Sequence, residues 1–339
     1  MRLGFSPIQG DHHYQEAIEE VQYAEANGLD SVFIQEHHEA EVDQYWSDPV
    51  SVLTAFAAET GSIELGTAIL LLPLYDPIRL AERGAILDGV SGGRFTLGAA
   101  VGYRPREFEI MGVPRDERGA MYEEYLTLLA RCWSEESVTF AGEHYSVEEF
   151  RCTPRPADDS RPTIWIGGYH NVVLDRSARF VADSLADAWF PGTQPDRNGL
   201  VDRRERFEGM LAERGAEPGD VSQPLFRDGI IADTREEGLD AALEYLVEGY
   251  EKQYEGRGHE PSEQGDLGHD VLRGEYDPED LIEDRFLVGD PDDWVEELRA
   301  YEDELGADHV VVRIYFEGMD HADVMEQLEL ICEEVEPRV

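Results

Sequence analysis

A glutamate and two histidines, Glu36, His37 and His38, follow one another at the end of the apolar segment in GLDSVFIQEHH (28–38). Because imidazole titrates near neutral pH, one of these histidines could serve as a general base, a proton donor or a substrate contact. Adjacent side chains on a strand point to opposite faces, so the pair makes a poor metal site, and we predict no metal. The structural alternative is a loop histidine that hydrogen-bonds only to a neighbouring residue.

Two glycines, Gly167 and Gly168, precede Tyr169 and His170 between an apolar segment and a predicted helix. Backbone amides without side chains at a helix N-terminus can bind an anion. Such pairs are common in loops, so the spacing alone is weak evidence for a phosphate site. No serine or cysteine nucleophile motif is present, and carboxylates are too abundant for any pair of them to be informative.

The elements that would position these residues alternate along the chain as apolar segments followed by amphipathic helices. The apolar segments are nearly continuous, which is typical of parallel strands buried on both faces. Eight such repeats predict an α/β fold of the (β/α)8 TIM-barrel type rather than a doubly wound open sheet, since no G-x-G-x-x-G opens the first helix. The predicted strands are 3–8, 31–36, 63–72, 94–101, 163–168, 186–190, 224–232 and 309–316.

Two segments interrupt the alternation and are predicted to be insertions, one after strand 4 and one after strand 7. Residues 135–161 read as a β-hairpin with a proline-rich return, and residues 256–290 read as an irregular excursion with a short helix near 278–285. A helix over 291–305 begins with Asp290-Pro291, a typical helix start. No second domain is visible, so we expect a single domain over 1–339.

A net charge of −47, from 28 basic against 75 acidic residues, is the strongest global feature of the sequence. The acidic residues are spread over every predicted helix, and Lys252 is the single lysine. Such a surface repels nucleic acid and anionic lipid, which both need basic patches, so neither is an expected partner. The self-repulsion requires strong screening, which indicates a halophilic protein adapted to a high-salt cytoplasm rather than an acidic protein of an ordinary cell.

Stability is therefore expected to depend on salt. The midpoint of thermal unfolding should rise steeply from low to molar KCl, because counterions screen the repulsion among the carboxylates. Thermal melts followed by circular dichroism over a KCl series would measure this rise. A midpoint that stays flat across the series would contradict the halophilic interpretation.

The sequence carries no obvious address outside the cytoplasm. No apolar run is long enough to span a membrane, and the N-terminal residues lack a secretory signal pattern, so we expect a cytoplasmic protein. The three cysteines, Cys132, Cys152 and Cys332, are widely spaced and form neither a disulfide framework nor a metal knuckle. We interpret them as ordinary core or surface thiols.

Four segments resemble those of bacterial luciferase-like monooxygenases in sequence, order and spacing: GLDSVFIQEHH, ELGTAILLLPLYDPIRLAERGAILDGVSGGRFTLGAAVGYRPREFEIMG, PTIWIGG and LADAWFP. The resemblance extends over nearly the whole chain. It implies a (β/α)8 barrel with insertions, a flavin or deazaflavin at the C-terminal mouth of the barrel, and a homodimer. It also implies that His37 is the catalytic residue and that Glu36 and His38 line or support the pocket.

The resemblance further implies where the cofactor binds. A cis peptide bond between Ala68 and Ile69 would lie behind the cofactor ring. The turn formed by Gly167, Gly168, Tyr169 and His170 would hold the cofactor phosphate.

Two positions after strand 4 depart from the family pattern. Val101 aligns with the arginine that luciferase uses for the phosphate, so Arg104 or His170 would have to substitute for it. Tyr103 stands where the family's sugar-phosphate dehydrogenases have a glutamate, which argues against that particular activity. We therefore include Val101, Tyr103 and Arg104 among the expected cofactor contacts.

Three functions are compatible with the resemblance. A monooxygenase would use reduced FMN from a separate reductase together with O2, whereas an F420-dependent enzyme would transfer a hydride, and a non-catalytic relative would only bind flavin. We favour reduced FMN because the acidic residues expected in the dehydrogenases are missing. Tyr45 and Trp46 in the loop 39–48 suggest contact with a small apolar organic substrate, although Trp46 could equally serve in packing.

Overall fold

A curled parallel sheet forms the centre of the structure, a computed structural model that describes residues 1–10, 13–39, 45–250, 267, 271, 277–283 and 285–339. The strands are β1 (Arg2–Ser6), β2 (Ser31–Ile34), β3 (Glu64–Thr67), β4 (Leu70–Leu71), β5 (Phe95–Ala100), β6 (Val138–Ala141), β7 (Ser146–Phe150), β8 (Thr163–Gly167), β9 (Ala188–Phe190), β10 (Pro224–Ile231), β11 (Leu287–Gly289) and β12 (His309–Arg313).

Parallel neighbours in the sheet follow the order β11-β10-β12-β1-β2-β3-β5-β8-β9, and β4 also pairs with β5. Strand β10, second in this order, approaches β9 at the opposite end of the order. The backbone N–H of Phe226 in β10 donates to the carbonyl oxygen of Pro191, just after β9, at 3.0 Å. Strands lie at all eight predicted positions. The (β/α)8 prediction is therefore confirmed, with β11 added beside β10.

The interior of the curled sheet is filled by aromatic side chains. The rings of Phe33 and Trp165 stack with centroids 5.1 Å apart, and Phe190 packs against Trp165 at 4.9 Å. Strands β5, β10 and β12 are buried along their whole length. Their continuous burial is the physical reason for the unbroken apolar runs in the sequence.

Helices cover the outside of the sheet and carry the capping residues that the sequence indicates. Asp290 caps the helix that begins at Pro291, accepting hydrogen bonds from the N–H groups of Asp292 and Asp293. The helices are α1 (Tyr14–Ala26), α2 (Pro49–Glu59), α3 (Pro77–Ser91), α4 (Pro105–Met111), α5 (Arg118–Ser134), α6 (Asn171–Ala182), α7 (Arg197–Glu213), α8 (Arg235–Ala241), α9 (Pro278–Glu283), α10 (Pro291–Leu305) and α11 (His321–Leu330).

Three features differ from the sequence prediction. The third predicted strand, 63–72, is divided into β3 and β4 by the peptide bond between Ala68 and Ile69, which is cis. Helix α4 was not predicted, because its seven residues are too few to show a helical period. The amphipathic helix predicted after the strand 224–232 begins as α8 and continues as π-helical turns over Ala242–Val247.

The first predicted insertion is present as the antiparallel hairpin of β6 and β7 between α5 and β8. Most of the second, 256–290, lies outside the described residues, apart from α9, β11 and their immediate neighbours. Among the helices of the described residues, none combines the length and the apolar character needed to cross a bilayer.

Candidate functional site

The residues after β2 and β5 meet at the C-terminal end of the sheet. Glu36, His37 and His38 follow β2, and the chain after β5 turns at Arg104 into helix α4. Helix α4 then brings Glu107 under the two histidines, where its carboxylate is fully buried. The site therefore depends on a short helix and on a carboxylate that could not be selected from the sequence.

His37 and Glu107 form a hydrogen-bonded pair. Nδ1 of His37 lies 2.7 Å from Oε1 of Glu107, and the same oxygen accepts the backbone N–H of His38 at 3.1 Å. An ionised carboxylate can only accept, so Nδ1 carries the hydrogen and the lone pair of the neutral ring is on Nε2. This arrangement fixes the orientation of the His37 ring and presents Nε2 as a proton acceptor.

The charge states of the pair follow from their surroundings. Burial lowers the pKa of His37 to about 4, and the positive charge of Arg104 acts in the same direction. Burial alone would raise the pKa of Glu107, but its hydrogen bond to His37 and the nearby charges hold that pKa below its ordinary value. At neutral pH, His37 is therefore neutral and Glu107 is ionised.

Two tyrosines and an arginine surround the His37 ring. Tyr45 and Tyr103 approach it edge to face, with ring centroids 4.6 and 5.8 Å away. The guanidinium carbon of Arg104 lies 5.6 Å from the Tyr45 ring and 5.7 Å from the Tyr103 ring, within the range of cation–π contacts. Four of the residues expected at the site are thus brought together: His37, Tyr45, Tyr103 and Arg104.

The Glu107→Gln variant is expected to lower turnover by about 10- to 10³-fold. A glutamine can donate its amide hydrogen to Nδ1 and so stabilise the tautomer whose Nε2 is protonated, which removes the proton acceptor. Steady-state rates would be compared with those of Glu109→Gln, an exposed carboxylate on the same helix that pairs with Arg106. Equal rates in the two variants would contradict a role for Glu107 in orienting His37.

Glu36 and His38 form a second pair that ties three segments together. Oε1 of Glu36 lies 2.7 Å from Nε2 of His38 and accepts the hydroxyl of Tyr75 at 2.8 Å, and Oε2 accepts the backbone N–H of Leu71 in β4 at 2.7 Å. Burial raises the pKa of Glu36. Burial would lower the pKa of His38, yet Glu36 keeps it above its ordinary value. With all these contacts made inside the protein, the pair is placed to support the pocket rather than to bind substrate.

Trp46 lies inside the protein, although the sequence suggested a substrate contact. Its side chain is 3% exposed, and its indole N–H donates to the carbonyl oxygen of Gly10 at 2.9 Å. The Tyr14 ring stacks on it with centroids 5.7 Å apart. A side chain without free surface or a free donor favours the packing alternative for Trp46.

The turn after β8 keeps the features that suggested an anion site. Gly168 has φ +129°, a backbone conformation that favours glycine, and the exposed His170 is the residue before α6. Arg203 from α7 donates to the carbonyl oxygen of Tyr169 at 2.9 Å, and Arg206 donates to Asn171 at 3.1 Å. Two arginines thus lie beside the turn in a strongly acidic protein. That this turn holds a phosphate stays a prediction.

The residues between β3 and β4 form an apolar surface at the C-terminal mouth of the barrel. The predicted cis bond between Ala68 and Ile69 is present, and both side chains pack on the aromatic cluster inside the sheet. A Cβ atom placed on Gly167 would lie 2.8 Å from Cδ1 of Ile69, so only glycine allows this close approach. Val101 follows β5 and is half-buried.

A buried ion pair that sequence reasoning missed joins β12 and β10, on the far side of β1 from β2. Arg313, at the end of β12, donates from Nε and Nη2 to the two oxygens of Asp228 in β10 at 2.9 and 2.8 Å. The hydroxyl of Tyr250 also hydrogen-bonds Asp228. Nη1 of Arg313 reaches the hydroxyl of Tyr45 at 3.3 Å, so the ion pair helps to hold Tyr45 against His37.

With this geometry established, comparison with known proteins is informative. A family model described as luciferase-like monooxygenase matches residues 3–309. The chain belongs to this family. This match confirms the family resemblance that the sequence segments and their spacing indicated.

Luciferase-like relatives of this chain use different cofactors. An F420-dependent glucose-6-phosphate dehydrogenase of Intrasporangium calvum is 26% identical over 345 residues, with 96% of each chain covered. An FMNH2-dependent dimethylsulfone monooxygenase of Pseudomonas putida is 25% identical over 221 residues, which cover 64% of this chain and 58% of the relative. The chain spans 46% of the uncharacterized protein y4vJ of Sinorhizobium fredii, to which it is 31% identical over 163 residues.

A solved structure shows the same architecture over the whole chain. The monooxygenase RslO1 from Streptomyces bottropensis superposes with a TM-score of 0.82 at 20% identity and covers 99% of both chains. The likeness shows the luciferase-like barrel fold. The family includes oxidoreductases that depend on F420 and on reduced FMN, as these relatives show.

Proposed function

We propose that the chain is a monooxygenase that uses reduced FMN and O2 to oxygenate a small organic substrate. The observation that carries this proposal is the pair of Glu107 and a neutral His37 at the C-terminal mouth of the barrel, with Nε2 of His37 available as a proton acceptor. In TIM barrels this end of the sheet is where active sites are built. The relative that acts on dimethylsulfone supports the choice of an FMN-dependent reaction.

The residues at the mouth fit a flat cofactor with an anionic tail. The Ile69 side chain lies against Gly167 at the end of β8 and, with Ala68, offers an apolar surface for a ring. Gly168, Tyr169 and His170 lead into α6, whose first N–H groups favour an anion. Val101 and Tyr103 would complete the cofactor contacts after β5.

Reduced FMN, when bound, supplies the electrons with which O2 is activated for insertion into the substrate. The protein's part is to hold the reactants away from water and to manage protons. His37 would accept or return a proton at Nε2 while Glu107 stabilises the positive charge that the ring gains. Glu36 and His38 would keep the end of β2 in register with β4 during this exchange.

Coenzyme F420 is the second candidate, since the F420-dependent relative matches 96% of the chain. In that reaction a hydride is transferred to or from the substrate, and His37 would exchange a proton beside it. Tyr103 favours FMN, because the family's sugar-phosphate dehydrogenases have a glutamate at this position and the tyrosine cannot supply a carboxylate. We further propose a separate flavin reductase as partner and a homodimer as the functional assembly.

Cofactor titrations would test the proposal. The protein would be purified in molar KCl and titrated with FMN, reduced FMN and F420, with fluorescence and absorbance as readouts. Preferential binding of reduced FMN, followed by O2 uptake when organic substrates are added, is the expected result. Preferential binding of F420 would indicate a hydride-transfer enzyme instead of a monooxygenase. If neither flavin nor F420 bound, both proposals would be contradicted.

A further inference from the structure

Arg104 is a buried cation whose hydrogen-bonding capacity is only partly used. The residue is 7% exposed, and among the residues that the structure describes its buried Nη2 atom has no hydrogen-bond partner. Nε donates to the hydroxyl of Tyr103 at 3.3 Å. Buried polar groups normally have partners, so an orphaned guanidinium nitrogen beside a candidate active site calls for a ligand.

The charge of Arg104 also lacks a carboxylate partner, unlike the charges of two arginines near it. Within the described part of the chain, no carboxylate forms an ion pair with it, although the protein has 75 acidic residues. Arg106, two residues further on, pairs with both Glu39 and Glu109. Arg313, on the other side of Tyr45, is paired through two hydrogen bonds with Asp228. Arg104 is held by aromatic rings instead, which position a cation without supplying a counter-charge. The carboxylate of Glu107 attracts it electrostatically but makes its hydrogen bonds to His37 and His38.

The position of Arg104 connects this charge to the reacting group. Tyr45 and Tyr103 each contact both the Arg104 guanidinium and the His37 ring. The charge of Arg104 also contributes to lowering the pKa of His37. A negatively charged ligand on Arg104 would therefore lie next to Nε2 of His37 and between aromatic walls.

We infer that Arg104 binds the carboxylate of an organic-acid substrate and places the rest of that molecule against His37, an inference that rests on the proposed function. A planar guanidinium matches a carboxylate in shape and charge, and the tyrosine rings favour an apolar or aromatic body. Tyr103 is the exposed wall of the site, 38% accessible, and its ring would move aside to uncover Nη2. Arg104 is then a specificity-determining residue.

Calorimetric titration of the cofactor-free protein with benzoate and benzamide would test this inference at constant KCl concentration. Benzoate carries the carboxylate, whereas benzamide has nearly the same shape without the charge. We expect benzoate to bind at least about tenfold more tightly than benzamide. In Arg104→Gln this preference for benzoate should disappear. Arg104→Lys keeps the charge but loses the two parallel N–H donors of the guanidinium, so its preference should lie between those of the wild-type protein and Arg104→Gln.

The matched control is Arg106→Gln, which removes an exposed arginine with two carboxylate partners and should keep the preference for benzoate. Circular dichroism would show that each variant is folded. Equal affinity of the wild-type protein for the two probes, including no detectable binding of either, would overturn the inference. An unchanged preference in Arg104→Gln would overturn it as well.

A phosphate on the cofactor is the other source of an oxyanion for Arg104. Titrations of Arg104→Gln with FMN and with riboflavin, which lacks the phosphate, distinguish the two sources. A selective loss of FMN affinity in the variant would assign Arg104 to the cofactor and overturn its assignment to substrate. Because the benzoate experiment uses no cofactor, its outcome is independent of whether the protein binds FMN, F420 or neither.

Discussion

The His37→Gln variant is expected to lose turnover by about 10²- to 10⁴-fold, the usual contribution of a positioned general acid or base. Glutamine keeps a polar side chain of similar reach, but its amide cannot accept and return a proton near neutral pH. Cofactor affinity should stay within about twofold of the wild-type value, because the loss concerns the reaction and not the binding of the ground state. Steady-state rates and cofactor titrations on the same preparations would measure both quantities.

The control for this variant is His144→Gln, which changes a histidine in the β6–β7 hairpin that pairs with Glu117. It should leave both the rate and the cofactor affinity unchanged. If His37→Gln turned over as fast as His144→Gln with the cofactor bound, the catalytic role of His37 would be refuted. A large loss of cofactor affinity in His37→Gln alone would instead make His37 a binding residue.

The Asp228→Ala variant is expected to lower the free energy of unfolding by about 3–5 kcal/mol, the range for removing one partner of a buried ion pair. Arg313 is 6% exposed and would be left as an uncompensated charge inside the sheet. The Tyr250 hydroxyl would lose its carboxylate acceptor at the same time. Denaturant unfolding in molar KCl, analysed with a constant m-value, would measure the loss.

Asp220→Ala, at an exposed turn before β10, is the matched control and should change stability by less than about 0.5 kcal/mol. The double variant Asp228→Ala/Arg313→Met should recover much of the loss, since no charge then remains buried. A loss of less than about 1 kcal/mol in Asp228→Ala would show that the ion pair contributes little to the fold. Normal stability combined with reduced turnover would point to its contact with Tyr45 instead.

The barrel could be predicted because the sequence features that produce its strands and helices lie within each segment. Buried parallel strands require continuous apolar segments, and the cap at Asp290 and Pro291 marks a helix start on its own. Helix α4 could not be recognised, since seven residues between Arg104 and Gly112 carry too little periodicity. The cis bond between Ala68 and Ile69 was inferred from the family resemblance rather than from the residues themselves, and the division of the third strand at this bond was not predicted.

The candidate site was only half visible in the sequence. The histidine pair could be selected because imidazole titrates near neutral pH, but the choice of His37 within it came from the family resemblance. Glu107 could not be selected, because it is one of 75 acidic residues and lies 70 positions away from the histidine that it orients. The pairing of Asp228 with Arg313 joins residues 85 positions apart, and only the closed order of the strands brings them together.

The most direct test of the account is a titration of histidine-labelled protein followed by NMR. The imidazole signal of His37 would be assigned by its absence in His37→Gln, and reduced FMN or F420 would then be added. We predict that the cofactor that binds shifts the His37 signal and leaves those of His144 and of the buried His309 in place. We also predict that the His37 signal is insensitive to pH above about 5, because its pKa is about 4. Tight cofactor binding that leaves the His37 signal unmoved would contradict a site built around the His37–Glu107 pair.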